Sequence, residues 1–131
     1  MKTEKYRQLS EVHLMQRIWR SELELALLEL DFWEDLLDTL NQSFHANVTD
    51  ANTWRVEIGQ LHHFRRLSKR LLGEIEAING EVAIGVRIGQ VMDKESRLDH
   101  QYLRREMDSF HADFRAFKTE IRQFMVVQPT F

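Results

Sequence analysis

Leu103, Met107, Phe110, Phe114, Phe117, Ile121 and Phe124 follow one another at alternating steps of four and three residues. That spacing draws one apolar line along one side of an α-helix, and it has no counterpart on a β-strand, where facing residues recur every second position. A chain that sustains it from Leu103 to Phe124 must fold there as a long helix, and the apolar side of that helix must be covered by another element.

The remainder of the chain offers the covering elements. Leu9, Val12, Trp19, Leu23, Ala26, Leu30, Trp33, Leu37, Leu40 and Phe44 keep the same alternation, with Gln16 as the one polar interruption. A second row of Met15, Ile18, Leu25, Phe32 and Leu36 widens this apolar face, as expected of a helix that touches two neighbours. The stripe stops at Phe44, and Thr49, Asp50 and Asn52 offer caps for a new helix. Trp54, Leu61, Phe64, Leu71, Ile75 and Ile78 then repeat the pattern until Asn79-Gly80, which reads as a left-handed stop. Gly59 and Gly73 share one face of this helix, each costing about 1 kcal/mol relative to Ala, and a close backbone approach is the expected reason. Residues 81–89 carry β-branched residues and two glycines, compatible with an extended crossover or a weak start to the third helix; the connector reading is preferred. The expected fold is all-α: an antiparallel bundle of three long helices with coiled-coil-like packing. It forms a single domain over 1–131, with helices at about 5–45, 50–79 and 90–126 and a connector at 80–89.

The motifs Trp19-Arg-Ser-Glu-Leu-Glu, Phe32-Trp-Glu-Asp-Leu-Leu, Gln60-Leu-His-His-Phe64 and Asp99-His-Gln-Tyr-Leu-Arg-Arg-Glu-Met-Asp-Ser-Phe110 resemble those of a family of small bacterial helical proteins with no assigned activity. The resemblance covers most of the chain, and Ile84 to Gly89 fits it least well. It implies three long helices and brings no activity with it.

Composition narrows the function classes. At 131 residues, 43% apolar and 30% charged, with five glycines and one proline, the chain is too apolar for disorder and too poor in turn residues for a hairpin-rich sheet. No apolar run approaches the ~18 residues of a membrane span, and Met1 to Ser10 is polar where a secretory signal needs an apolar core, so a cytoplasmic location is expected. The absence of cysteine excludes disulfides, thiolate zinc sites and Cys nucleophiles. A net charge of -3 gives no global attraction to nucleic acid or anionic membrane, so neither is expected as a partner.

Charge placement tests the hairpin. Residues 21–54 contain no Lys or Arg, whereas Arg65, Arg66, Lys69 and Arg70 cluster in the second helix. A turn between residues 46 and 51 places Arg66 beside Asp31 and Arg70 beside Leu27, so the acidic and basic blocks face each other. Exposed pairs of this kind are worth about 0 to 1 kcal/mol each and fix register more than stability. The segment Phe64 to Arg70 also has the makings of a phosphate-binding stripe, but a basic face neutralised by its acidic neighbour accounts for it better.

No Glu-x-x-His, His-Glu-x-x-His, Gly-x-Ser-x-Gly or phosphate-cradling glycine loop occurs, and the chain is expected not to be an enzyme and to need no cofactor. Asp108 and His111 are one turn apart but lie off the inward line of phenylalanines. His62 and His63 fall beside Asp35, and a return helix beginning near 90 brings Glu95, Asp99 and His100 towards them. Leu98 is the one large apolar residue between Asp93 and Gln101. His62, His63, Asp99 and His100 are therefore a candidate metal or small-anion site; the competing reading is a polar layer or a solvated face.

Helix lengths carry the expectation about partners. A second helix ending near 79 leaves Leu9, Val12 and Leu14 projecting beyond it, and Phe117 and Phe124 lie towards the opposite overhang. A homodimer, or another helical protein, would cover them. Alternatively the connector and the tail from Met125 to Phe131 fold back over the two ends. The functional expectation is a non-catalytic interaction or self-association module, with a small metal- or ligand-binding bundle as the alternative.

Overall fold

In the computed structural model the described residues form three helices: α1 (Lys2–Asn41), α2 (Val48–Arg87) and α3 (Lys94–Val126). The structure describes residues 2–41, 48–87 and 94–127, and their side chains except at 2–6, 8–9, 48–50 and 81–87. The fold is an all-α antiparallel bundle, with no strand among the described residues.

The heptad lines of the sequence become the core. Leu23, Leu30, Leu37, Leu61, Leu71, Ile75, Leu103, Met107 and Ile121 are fully enclosed. Near mid-bundle, Phe64 of α2 meets three rings of α3, with centroids 6.2 Å from Phe110, 5.4 Å from Phe114 and 5.1 Å from Phe117. Tilted and edge-on rings at such distances add favourable quadrupole contacts to the area they bury.

Polar contacts fix how far each helix slides along the next. The Trp54 indole N–H donates to the Leu37 carbonyl at 2.6 Å, tying the start of α2 to the last turns of α1. The Arg65 guanidinium reaches Asp31 at 2.8 Å and Glu34 at 3.1 Å. The acidic and basic blocks do face one another, but Arg65 bridges them where the sequence pointed to Arg66. Arg70 turns the other way, to Glu74 at 3.7 Å and to Glu106 of α3 at 3.8 Å.

The largest departure from the sequence reading is the end of α2. The helix runs through Asn79-Gly80 to Arg87, so 80–87 is helix and not connector; positions 88 and 89 lie outside the described residues, as does Phe44. One glycine costs a helix about 1 kcal/mol, which by itself does not end a helix of this length. A Cβ added at Gly59, Gly73 or Gly80 would meet nothing within 4 Å, so no close backbone approach explains the first two.

The longer α2 equals α1 at 40 residues each, roughly 60 Å. A short α2, from which the overhangs were inferred, is therefore not what the structure has. Val12, Phe117 and Phe124 are all buried, which removes them as exposed interface residues; the Leu9 side chain and residues 128–131 lie outside the described residues. Of the four interface candidates whose side chains are described, Leu14 alone stands exposed.

Candidate interaction surface

Single apolar side chains such as Val56, Leu98 and Val126 are exposed elsewhere, but among the described residues an ordered exposed row lies on the flank of α1. Leu14, Ile18, Leu25, Leu28 and Phe32 all face outward, from 39% exposure at Ile18 to 66% at Leu28. Their spacing, with Ser21 included, is four, three, four, three, four. They form a second heptad line, displaced around the helix from the Leu23, Ala26, Leu30 and Leu37 line that enters the core. The sequence reading assigned Ile18, Leu25 and Phe32 to a neighbouring helix of the same chain. In the structure only the outer members of that row, Met15 and Leu36, pack against the core, because they sit nearer the core line around the helix.

The stripe has built edges. On the α3 side, the Glu22 carboxylate meets the His111 ring Nε2, and Glu29 meets the Lys118 ammonium at 3.2 Å. Lys118 also lies 4.9 Å above the Phe114 ring, a cation–π contact that holds its stem against the core. Beneath these pairs a shallow groove of about 220 Å³ runs between α1 and α3, lined by Leu25, Ala26, Phe110 and Phe114 as well as the paired charges. On the α2 side, Arg65 neutralises Asp31 and Glu34, and its hydrogen bond to Glu34 is the main reason that carboxyl is held below the usual range. A scattering of single exposed apolar residues is ordinary in globular proteins, but an ordered line of five on one helix is not.

The histidine constellation does not assemble. His62 and His63 immediately precede Phe64, whose ring packs on Phe110, Phe114 and Phe117, so they are level with the middle of α3 and not with its start. Both are exposed. His100 lies near one end of the bundle, buried, stacked on Trp19 with centroids 5.1 Å apart. Asp99 is half-buried beside it in sequence. The sequence estimate failed because the level of α3 depends on where α2 ends, and α2 is longer than expected. Among the described residues no group of three or more His, Asp or Glu is placed to hold a metal ion.

What exists instead is a polar stretch at one end of the core. Gln16, the single interruption in the α1 line, is buried, as are Ser96 and His100 on the inward line of α3. Burial, with a smaller contribution from Arg104, pushes the His100 imidazole below its ordinary value, which favours the neutral ring where it stacks on the indole. His63 lines a second recess, of about 200 Å³, with Arg66, Leu67 and Arg70.

One titratable group escaped the sequence reading. Glu57 occupies a core position of α2, only 2% exposed, and burial pushes its carboxyl up to about 7, reinforced by the charge of Glu120 and a hydrogen bond with it. The signal was present as a gap: the apolar series of α2 steps over positions 57 and 68, and Glu57 and Ser68 are both buried there.

No described helix is long and apolar enough to cross a membrane. Comparison with protein families, with curated proteins and with solved structures finds no match to this chain.

Proposed function

We propose that this chain is a non-catalytic interaction module that works in the cytoplasm and binds a helical protein through the outer face of α1. One observation carries the reading: Leu14, Ile18, Leu25, Leu28 and Phe32 form an ordered apolar line that stays outside the chain's own buried core. Burying each such side chain is worth about 1.5 to 3 kcal/mol, so a line of five represents a substantial driving force for association. Its heptad spacing suits a helix laid alongside it, because knobs at alternating three and four steps fill the holes of another helix. Flanking charges already paired within the chain, Asp31 and Glu34 with Arg65 and Glu29 with Lys118, make a rim whose desolvation cost is partly met in advance.

The test is a photoreactive amino acid placed at position 28, in the centre of the stripe, with position 73 on an exposed part of α2 as control. Irradiation in the native host should yield a discrete adduct from position 28 and none from position 73. Equal labelling at both positions, or none at 28, would show that the stripe contacts no defined partner.

A further inference from the structure

The stripe lies on a helix whose charge is divided between its ends. Up to Arg20, α1 contains Lys2, Lys5, Arg7, Arg17 and Arg20 against Glu4 and Glu11; beyond it stand Glu22, Glu24, Glu29, Asp31, Glu34, Asp35 and Asp38 with no Lys or Arg. Some of those acids are matched by α2 or α3. Arg17, Arg20, Glu24, Asp35 and Asp38 are exposed and have no ion-pair partner among the described residues. A surface that is apolar along its centre, positive at one end and negative at the other is complementary to itself when turned end for end.

Resting on the reading of α1 as the binding face, we propose that the occupant of the stripe is a second copy of this chain, its α1 packed antiparallel against the first about a two-fold axis near Ser21 and Leu25. Position by position the register closes. Leu14 meets Phe32 of the second copy, Ile18 meets Leu28, and Ser21 meets Leu25, each pair occurring twice, over a seam of roughly 27 Å. The small Ser21 leaves room near the axis for Leu25. Arg17, Glu24, Asp31 and Asp38 each stand immediately before a position of the heptad line and border it on one side. Reversal brings Arg17 level with Glu29 of the second copy and within a turn of its Asp31, and Arg20 within a turn of its Glu24. A parallel pair would instead set the acidic halves of both helices side by side, a repulsion that this sequence does nothing to relieve.

The absence of cysteine makes the orientation directly measurable. Glu11 and Asp35 continue the heptad line at its two ends, both exposed. In the antiparallel pair, position 11 of one copy lies opposite position 35 of the other. Full-length Glu11→Cys and Asp35→Cys proteins are purified, mixed under reducing conditions, and oxidised with a glutathione couple. The expected product is the mixed disulfide, with neither variant cross-linking efficiently to itself, while wild-type protein sediments as a dimer that dissociates on dilution. The double variant Leu25→Glu/Leu28→Glu should sediment as a monomer with an unchanged helical spectrum and a melt no lower than that of diluted wild type, which separates lost association from lost folding. Efficient self-linking of Glu11→Cys would overturn the antiparallel arrangement. Monomeric wild type at all concentrations, together with a position-28 photoadduct to a different polypeptide, would overturn the second copy as occupant and leave the interaction surface standing; a monomer without any adduct would remove both.

Discussion

Helices α1 and α3 carry heptad lines of similar quality, yet they spend them differently. In α3, every member from Leu103 to Phe124 is buried in the chain's own core, and between Leu103 and Phe124 no large apolar residue is left exposed. In α1, one line from Val12 to Leu40 is buried and a second, from Leu14 to Phe32, is not. The difference separates two uses of the same pattern. A single line satisfies folding, whereas a second line on the same helix lies outside the core, and it is on this second line that the proposed interaction rests.

The sharpest way to break this comparison is to truncate a buried line. Phe117→Ala in α3 removes a ring whose centroid lies 5.1 Å from that of Phe64 and should cost about 3 to 5 kcal/mol in urea or thermal unfolding. A loss below about 1 kcal/mol would mean that α3 is not the intramolecular element described.

A smaller effect tests the buried Glu57 carboxyl where α2 meets α3. Glu57 ordinarily titrates near 4.5 and is pushed up to about 7 in the folded chain, first by burial and then by Glu120. Between those values the folded protein holds a proton that the unfolded chain has released, so stability falls as pH rises through about 4.5 to 7 and levels off above. Glu57→Gln removes that fall. It should stabilise the protein by about 1 to 3 kcal/mol at pH 8 and make little difference at pH 4.5, measured by denaturant melts at both. A gain that does not depend on pH would place the charge of Glu57 in solvent.

The smallest expected effect is the counterpart to Phe117. Leu28→Glu, on the outer line of α1, should alter monomer stability by less than about 0.5 kcal/mol at protein concentrations below any association, since the side chain is two-thirds exposed and leaves the core untouched. A loss of several kcal/mol would show that the outer line supports the fold after all, and the contrast between the two helices would collapse.

Much of the fold could be read in the residues because heptad spacing is a local property. The lines ending in Phe124, Phe44 and Ile78 each predicted a helix and its inward face, although Phe44 itself lies outside the described residues, and Gln16 marked a polar position in the core that proved buried. Relations between helices were harder, since they depend on where each one stops. Gly80 was given more weight than a single glycine has against packing, and from that one error came a short α2, false overhangs at Val12 and Phe124, and a level for His100 that set it beside His62. The outer line of α1 was visible in Ile18, Leu25 and Phe32 but was assigned to the chain's own neighbours. A periodic pattern states that a face is apolar and cannot state whose surface covers it.

An odd number of helices has a consequence for reach. With α1 up, α2 down and α3 up, Lys2 and Val126 lie at opposite tips of the bundle, which a 40-residue helix makes roughly 60 Å long. Anything joined to those two tips is held apart by a fixed span, so the bundle can serve as a ruler, with the apolar line of α1 marked along its side.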